Sequence, residues 1–219
     1  MKKIYTFLFI LSFVSLSFGQ IIPKFGLGIS GGVAVPSGDM GDIYKTGVGG
    51  SLTLVLPLPI PIELSASVGY YSFKFNNDYF ATQLKTGTGS TATVDVDAPL
   101  NLIPLTVNAR YYFVPVAIRP YGEVTLGVGI ASSKNVFLES TSGNSMAIKT
   151  EDKSETKQYF SVGAGVLIGV GIVADIDVNI RYALLGQEFS QMTATSGSVS
   201  YSSSTGTYLG INAGLRLKL

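Results

Sequence analysis

Eight charged side chains lie inside segments that are otherwise apolar or built of small residues. They are Glu63, Arg110, Arg119, Glu123, Asp177, Arg181, Arg216 and Lys218. A full charge among apolar residues is costly unless it is paired, so the chemistry that these residues favour is ion pairing away from bulk water. Three carboxylates and five cations can pair largely among themselves. We therefore predict that the eight residues form one charge network.

Catalytic chemistry of the usual kinds has few residues to use in this chain. The 219 residues include no His and no Cys, which excludes Ser-His-Asp triads, thiol nucleophiles and His-ligated metals. The Asp95 and Asp97 carboxylates would share one side of an extended strand, but no complete calcium-loop pattern follows them. The acidic residues of the polar stretches are Asp39, Asp42, Asp78, Asp95, Asp97, Glu151, Asp152 and Glu155. We interpret all of them as solvated, and we predict no metal, no cofactor and no enzymatic activity.

The first residues read MKKIYTFLFILSFVSLSFGQ, with two lysines, an apolar run and the small residues Ser17 and Gly19. This order is typical of a secretory signal peptide, and it predicts a leader over residues 1–19 and a mature domain over residues 20–219. The alternative, a single-span anchor, needs an apolar run of ~20 residues. Loss of Lys2 and Lys3 leaves 13 basic against 14 acidic residues, without the clustered positive charge of a nucleic-acid surface.

Residues of two kinds alternate along eight segments of the mature chain, which indicates β-strands with two different faces. The segments are residues 24–35, 48–58, 62–75, 102–113, 118–132, 159–173, 176–189 and 208–219. Their connections alternate between turns of a few residues and long polar stretches, a pattern typical of outer-membrane barrels. The predicted fold class is all-β: an eight-stranded antiparallel up-and-down transmembrane β-barrel with short periplasmic turns and long extracellular loops.

One face of these segments carries large aliphatic residues such as Leu52, Leu54 and Leu56, and the other carries glycine and serine. The interior of an eight-stranded barrel is just wide enough for side chains, and large residues on every strand would overfill it. The aliphatic face is therefore predicted to point outward, and the small-residue face, with the charges, inward. A serine in place of the inward Gly214 is expected to be tolerated. Pro104 predicts a bulge or a later start of the fourth strand.

Aromatic residues near both ends of the segments predict two belts at the membrane interfaces. Near the long loops they are Tyr70, Tyr71, Phe73, Phe75, Phe137, Tyr159, Phe160 and Phe189, and near the short turns Phe25, Tyr111, Tyr112, Phe113 and Tyr121. Two polar stretches, residues 149–157 and 193–207, are predicted to be exposed loops that carry whatever surface recognition the protein has.

The charge network permits two functions. As a plug, it would fill the lumen and fix the strand register of a non-enzymatic protein with a structural or surface-interaction role, which is the function we predict. The alternative is a narrow porin-like transporter of small solutes, with the charges as a selectivity filter. A filter needs an open water path, for which eight strands leave little room. A soluble, secreted ligand-binding barrel would instead need its apolar face inward.

The final segment keeps its alternation at Tyr208, Ile211, Ala213, Leu215 and Leu217. With the leader and the eight segments, it makes the whole mature chain resemble the eight-stranded outer-membrane β-barrels, the porin-family class that includes the barrels of outer membrane proteins A and X. The resemblance implies the outer membrane of a Gram-negative bacterium, contact with outer-membrane lipid, and the barrel-insertion machinery as an assembly partner. It identifies no partner for the surface loops.

Overall fold

The structure, a computed structural model, is a closed barrel of eight antiparallel strands in sequence order. It describes residues 25–58, 60–79, 81–82, 98–141, 145–195 and 198–218, with the side chains of residues 134–153 and 187–204 excepted. The strands are β1 Gly26–Ser37, β2 Gly47–Pro57, β3 Ile62–Phe73, β4 Leu100–Tyr112, β5 Ile118–Thr141, β6 Ser145–Val170, β7 Ala174–Thr195 and β8 Ser198–Lys218, and helix α1 spans Asp39–Ile43. β1 pairs with both β2 and β8, which closes the barrel. The predicted fold class is confirmed.

The described part of the chain contains no helix that is long and apolar enough to cross a membrane.

The two faces of the wall point as the sequence predicted. Aliphatic residues at every second position are exposed on the outside, among them Leu54, Val107 and Leu126. Ser65 and Asn108, on the opposite face, are buried inside. Because side chains alternate strictly along a strand, one register decides the direction of every residue on it. The outer surface is therefore an apolar band and the lumen is lined by the remaining residues.

Strands β5 to β8 are much longer than the alternating segments. β5 continues to Thr141 and β6 begins at Ser145, and β7 continues to Thr195 and β8 begins at Ser198. The predicted loop over residues 149–157 is therefore strand, and so is most of the predicted loop over residues 193–207. Alternation in a sequence reports the burial of one face, whereas strand pairing requires only backbone hydrogen bonds. A two-stranded ribbon beyond the barrel has no buried face to mark it.

Pro104 lies inside β4 without the predicted bulge. The pairs Val68 with Leu105 and Tyr71 with Leu102 share one register on either side of it. Pro104 still pairs with Gly129 on the β5 side. The missing N–H of proline thus interrupts the β3–β4 ladder locally and leaves its register unchanged.

The predicted aromatic belts are only half correct. Tyr70, Phe160, Tyr111, Phe113 and Phe25 are exposed on the outer wall, at its two ends. The other aromatic residues whose side chains are described turn into the barrel because they fall on the inward alternation: Tyr71, Phe73, Tyr112, Tyr121 and Tyr159 are largely or fully buried, and Phe75 packs against the buried cluster near the long-loop end. Phe137 and Phe189 lie outside the side chains that the structure describes.

The long-loop half of the lumen holds a compact apolar cluster, which we call the apolar layer. Its members are Ala34, Met40, Tyr44, Tyr71, Phe73, Leu100, Leu102, Ala131, Tyr159, Ala183, Leu185 and Tyr208. Glycines opposite the rings make room for them: a Cβ at Gly49 would stand 2.3 Å from Cδ1 of Tyr71, and one at Gly47 2.6 Å from Cδ1 of Phe73. The inward Gly47 and Gly49 therefore leave room for large rings.

Helix α1 closes the long-loop end of this layer. Its Met40 side chain is fully buried, and Tyr44, directly after the helix, packs edge-on against Phe75 with ring centroids 6.2 Å apart. Backbone hydrogen bonds from Asn76 N to Ile43 O and from Lys45 N to Lys74 O tie the helix to the β3–β4 connection. Burial raises the pKa of Tyr44 to about 12, so its phenol stays protonated at neutral pH.

Candidate functional site

The predicted charged residues meet in the short-turn half of the lumen, which we call the ionic layer. Register alone brings several of them together, since Glu63 on β3 pairs with Arg110 on β4, and Arg110 pairs with Glu123 on β5. From the opposite wall, β7 contributes Asp177 and Arg181, and β8 contributes Arg216 and Lys218. Arg119 stands at the start of β5. All eight residues thus face the lumen or its mouth.

Arg110 is the centre of the ionic layer. Its Nε donates to Glu123 Oε2, and its Nη1 donates to Asp177 Oδ2 at 2.6 Å. The guanidinium also lies over the Tyr121 ring, 4.4 Å from the centroid, and the Tyr121 hydroxyl donates to Asp177 Oδ1. Every one of these side chains is buried, so the network is the water-excluded kind that the sequence favoured.

A second pair lies next to this centre. Arg216 Nη2 donates to Glu63 Oε2 at 2.6 Å, and Arg216 Nη1 donates to the Tyr112 hydroxyl at 3.0 Å. The same hydroxyl donates to Glu63 Oε2 at 2.9 Å. Glu63 Oε1 stands 4.0 Å from Arg110 Nη1, which links the pair to the Arg110 cluster.

Arg181 connects the ionic layer to the apolar layer. Its Nη2 lies 3.5 Å from Glu123 Oε1 and 3.4 Å from Asn179 Oδ1. Asn212 Nδ2 donates to that same Asn179 oxygen at 3.2 Å, and Asn212 Oδ1 accepts a hydrogen bond from the Tyr71 hydroxyl at 3.2 Å. These contacts carry the polar lining of the lumen up to the level at which the large rings begin, with the buried Arg181 Nε left without a hydrogen-bond partner among the described residues.

Asp175 is a member of the network that the sequence analysis missed. It pairs with Arg119 Nη2 at 2.9 Å and lies 2.8 Å from Lys218 Nζ, an ion pair without hydrogen-bond alignment. The sequence pattern predicts a start of the seventh strand at Ile176, with Asp175 in the turn, whereas β7 begins at Ala174. The available signal was alternation, because Asp175 and Asp177 must share a face.

The space left between these side chains is small. A cavity of about 20 Å³ lies beside Arg110, Glu123, Asp177 and Arg181, with Gly28 on its far wall. A cavity of this size holds about one water molecule. The described side chains thus leave room for about one water molecule at this level.

Two inward glycines are expected to respond differently to serine. A Cβ at Gly28 would meet Arg216 Cγ at 3.4 Å, an ordinary contact, whereas one at Gly214 would stand 2.3 Å from Ile29 O and 2.7 Å from Ser30 Cβ. We expect Gly28→Ser to fold like the native chain and Gly214→Ser to lose ~1–3 kcal/mol through overpacking, contrary to the tolerance predicted from sequence. Urea unfolding of the two variants in the same detergent checks this, and equal midpoints would contradict the close approach of β8 to β1.

Metal binding has no support in the described geometry: no group of three or more carboxylates there could hold an ion. Asp78 pairs instead with Lys45 Nζ at 2.6 Å, and Glu155 lies 3.3 Å from Lys157 Nζ. Asp95 and Asp97 lie outside the described residues, as do the side chains of Glu151 and Asp152.

Comparison with known proteins agrees with the architecture. No protein-family model matches the sequence, and no curated protein matches it. Among solved structures, the Neisserial surface protein A matches with a TM-score of 0.53 and 19% identity, over 89% of this chain and 97% of that one. A major outer membrane protein from Thermus thermophilus matches with a TM-score of 0.55 and 10% identity, over 89% and 99% of the two chains. The chain thus has the fold of the eight-stranded outer-membrane β-barrels.

Proposed function

We propose that this chain is a non-enzymatic integral protein of the outer membrane of a Gram-negative bacterium, with a plugged lumen and a structural or surface-interaction role. In this proposal residues 1–19 are a signal peptide that is removed on export, residues 20–219 form the barrel domain, the barrel-insertion machinery assembles it, and outer-membrane lipid covers its aliphatic wall. The fold and the outward aliphatic face support the membrane setting.

The observation that carries the plug is the filling of the lumen at two successive levels. The apolar layer occupies the long-loop half with fully buried Phe73, Leu102 and Tyr208. The ionic layer occupies the short-turn half, with about 20 Å³ left beside it. A hydrated ion would have to displace the rings and then separate buried ion pairs, so passage has a high barrier at both levels.

The surface role rests on the strand extensions beyond the barrel. β5 continues from Ser132 to Thr141, about 30 Å of additional strand at ~3.3 Å per residue. β6 pairs with β7 only from Tyr159 onward, so the two extended hairpins separate above that point. Their sequences differ: residues 134–157 mix both signs of charge, whereas residues 186–206 carry the single charge of Glu188 among Ser, Thr and Gly. Two projecting ribbons of different chemistry favour recognition over transport.

Single-channel recording tests this function against the transporter alternative. The native chain in a planar bilayer is expected to give no resolved conductance step, because both layers block the lumen. A general porin in the same bilayer is the positive control, and heat-dependent gel mobility verifies that the tested chain is folded. Discrete, reproducible steps from the folded native chain would overturn the plug and favour the narrow transporter of small solutes.

A further inference from the structure

The three short turns carry exposed aliphatic residues and no charge. Ile60 lies between β2 and β3, Val114 and Val116 between β4 and β5, and Ile172 and Val173 between β6 and β7. Ile172 is 92% exposed, more than any other large apolar residue described. Turns that meet water usually carry polar residues, so these turns are unsuited to an aqueous surface.

The outer wall reaches the usual membrane dimension before these turns begin. On β6 the exposed apolar residues run from Phe160 to Val170, ~33 Å along the strand and ~25 Å along the axis of a barrel with strands tilted by about 40°. An apolar band ~25 Å tall is typical of outer-membrane barrels. Ile172 lies two residues beyond Val170, in the β6–β7 turn. With the turns included, the apolar surface measures ~30 Å, the full hydrocarbon thickness of a bilayer.

Two cations stand at the level of these turns. The backbone N of Lys218 donates to Val173 O at 2.9 Å, which places Lys218 beside the β6–β7 turn. Lys218 and Arg119 share the single carboxylate Asp175, and both side chains keep part of their surface exposed, 43% and 28% respectively. Among the described residues, their two positive charges exceed the single negative charge of their shared partner Asp175 by one.

A pocket of about 200 Å³ opens at the same place. Its walls are mainly apolar, formed by Phe25, Val55, Pro57, Leu167 and Leu217. Arg119, Arg216 and Lys218 also line it, together with Glu63 and Asp175. The pocket thus puts an apolar surface next to cations that are in excess.

We propose that the short-turn end of the barrel is a binding surface for anionic phospholipid, with the aliphatic turns in the edge of the hydrocarbon and the lipid phosphate at Lys218 and Arg119. This proposal rests on the membrane setting of the proposed function and adds a headgroup class and its site. Charge complementarity identifies the ligand. A phospholipid carries its anionic phosphate next to its acyl chains, and this end of the barrel carries cations next to aliphatic turns.

Depth measurement tests where the turns lie. The chain has no cysteine, so Ile172→Cys and Val116→Cys each provide one site for a bimane fluorophore in lipid nanodiscs. Val107→Cys, on the middle of the outer wall, and Lys74→Cys, exposed at the long-loop end, are the controls. We expect both turn probes to be quenched by bromine on the acyl chains, like the Val107 probe. Quenching by aqueous acrylamide, as for the Lys74 probe, would overturn the proposal.

This design separates two failures. If the Val107 probe also escapes the acyl-chain bromine, the membrane setting itself is wrong. If the Val107 probe is quenched and both turn probes report water, the barrel still spans the membrane, and only the lipid surface at the short turns is refuted.

Headgroup preference is tested with the same turn probe. At equal mole fractions, brominated phosphatidylglycerol is expected to quench the Ile172 probe about threefold more than brominated phosphatidylcholine, because a surface cation concentrates anionic lipid. Adding Lys218→Gln should reduce this preference by half or more, whereas Lys45→Gln at the opposite end should leave it unchanged. Equal quenching by the two lipids, or a preference that survives Lys218→Gln and Arg119→Gln together, would refute the phosphate site.

Discussion

Arg110→Met is expected to cost ~3–5 kcal/mol of unfolding free energy, because it removes one partner from a buried ion-pair network. The guanidinium donates to both Glu123 and Asp177, and it lies within 4.0 Å of Glu63. Without it, the remaining partners among the described side chains are Arg181 at 3.5 Å for Glu123 and the Tyr121 hydroxyl for Asp177. Methionine preserves most of the side-chain volume of arginine. The loss of unfolding free energy therefore reports the unpaired carboxylates more than a cavity.

The measurement is urea unfolding of the detergent-folded barrel, followed by far-UV circular dichroism and by gel mobility without heating. The double variant Arg110→Met with Glu123→Gln should recover part of the lost stability, since one uncompensated carboxylate disappears with its partner. Lys45→Met is the matched control. Its ion pair with Asp78 is half exposed on one side and largely exposed on the other, so its loss should cost less than ~1 kcal/mol.

An additive double variant would show that Arg110 and Glu123 do not interact, and a loss for Arg110→Met as small as that for Lys45→Met would show that the ionic layer is open to water. Either result would contradict the plug.

Leu126→Arg should cost ~2–4 kcal/mol or prevent assembly, because arginine on the lipid face near mid-depth has no partner there. Leu126 is 60% exposed on the outer wall, and its cross-strand neighbours are Val107 on β4 and Phe160 on β6. All three point into the apolar band, so a guanidinium at this site cannot reach the ionic layer. The yield of heat-modifiable barrel in phospholipid vesicles measures the effect.

Ser132→Arg on the same strand is the control for this variant. Ser132 has the same outward direction as Leu126 but lies at the long-loop end and is exposed. Near a membrane interface the cost of arginine falls to ~0–1 kcal/mol. If both variants assemble equally well, the outer wall does not face hydrocarbon, and the orientation of every strand would need revision.

The positions that differ from the sequence predictions have separate physical causes. Alternation located the parts of the strands that have one lipid-facing and one enclosed face, and it failed where the extended ribbons have neither. Asp175 lies on the enclosed face two residues before Asp177, but the apolar pattern of its strand begins only at Ile176, so the strand start was placed after it. The aromatic belts were wrong for another reason: Tyr70 and Tyr71 are neighbours in sequence, and alternation sends one outward and the other into the apolar layer, so rings near a strand end do not all reach the outer wall.

The sequence by itself determined the eight strands, the direction of their faces and the placement of eight charges on the enclosed face, because a period of two is a local property of an extended backbone. Only the tertiary structure decided which charges meet. Arg110 contacts Asp177 across the lumen from β7, Arg119 and Lys218 converge on Asp175, and large rings from several strands fill the long-loop half. These contacts depend on the closure and stagger of the barrel, which bring together residues that no local pattern relates.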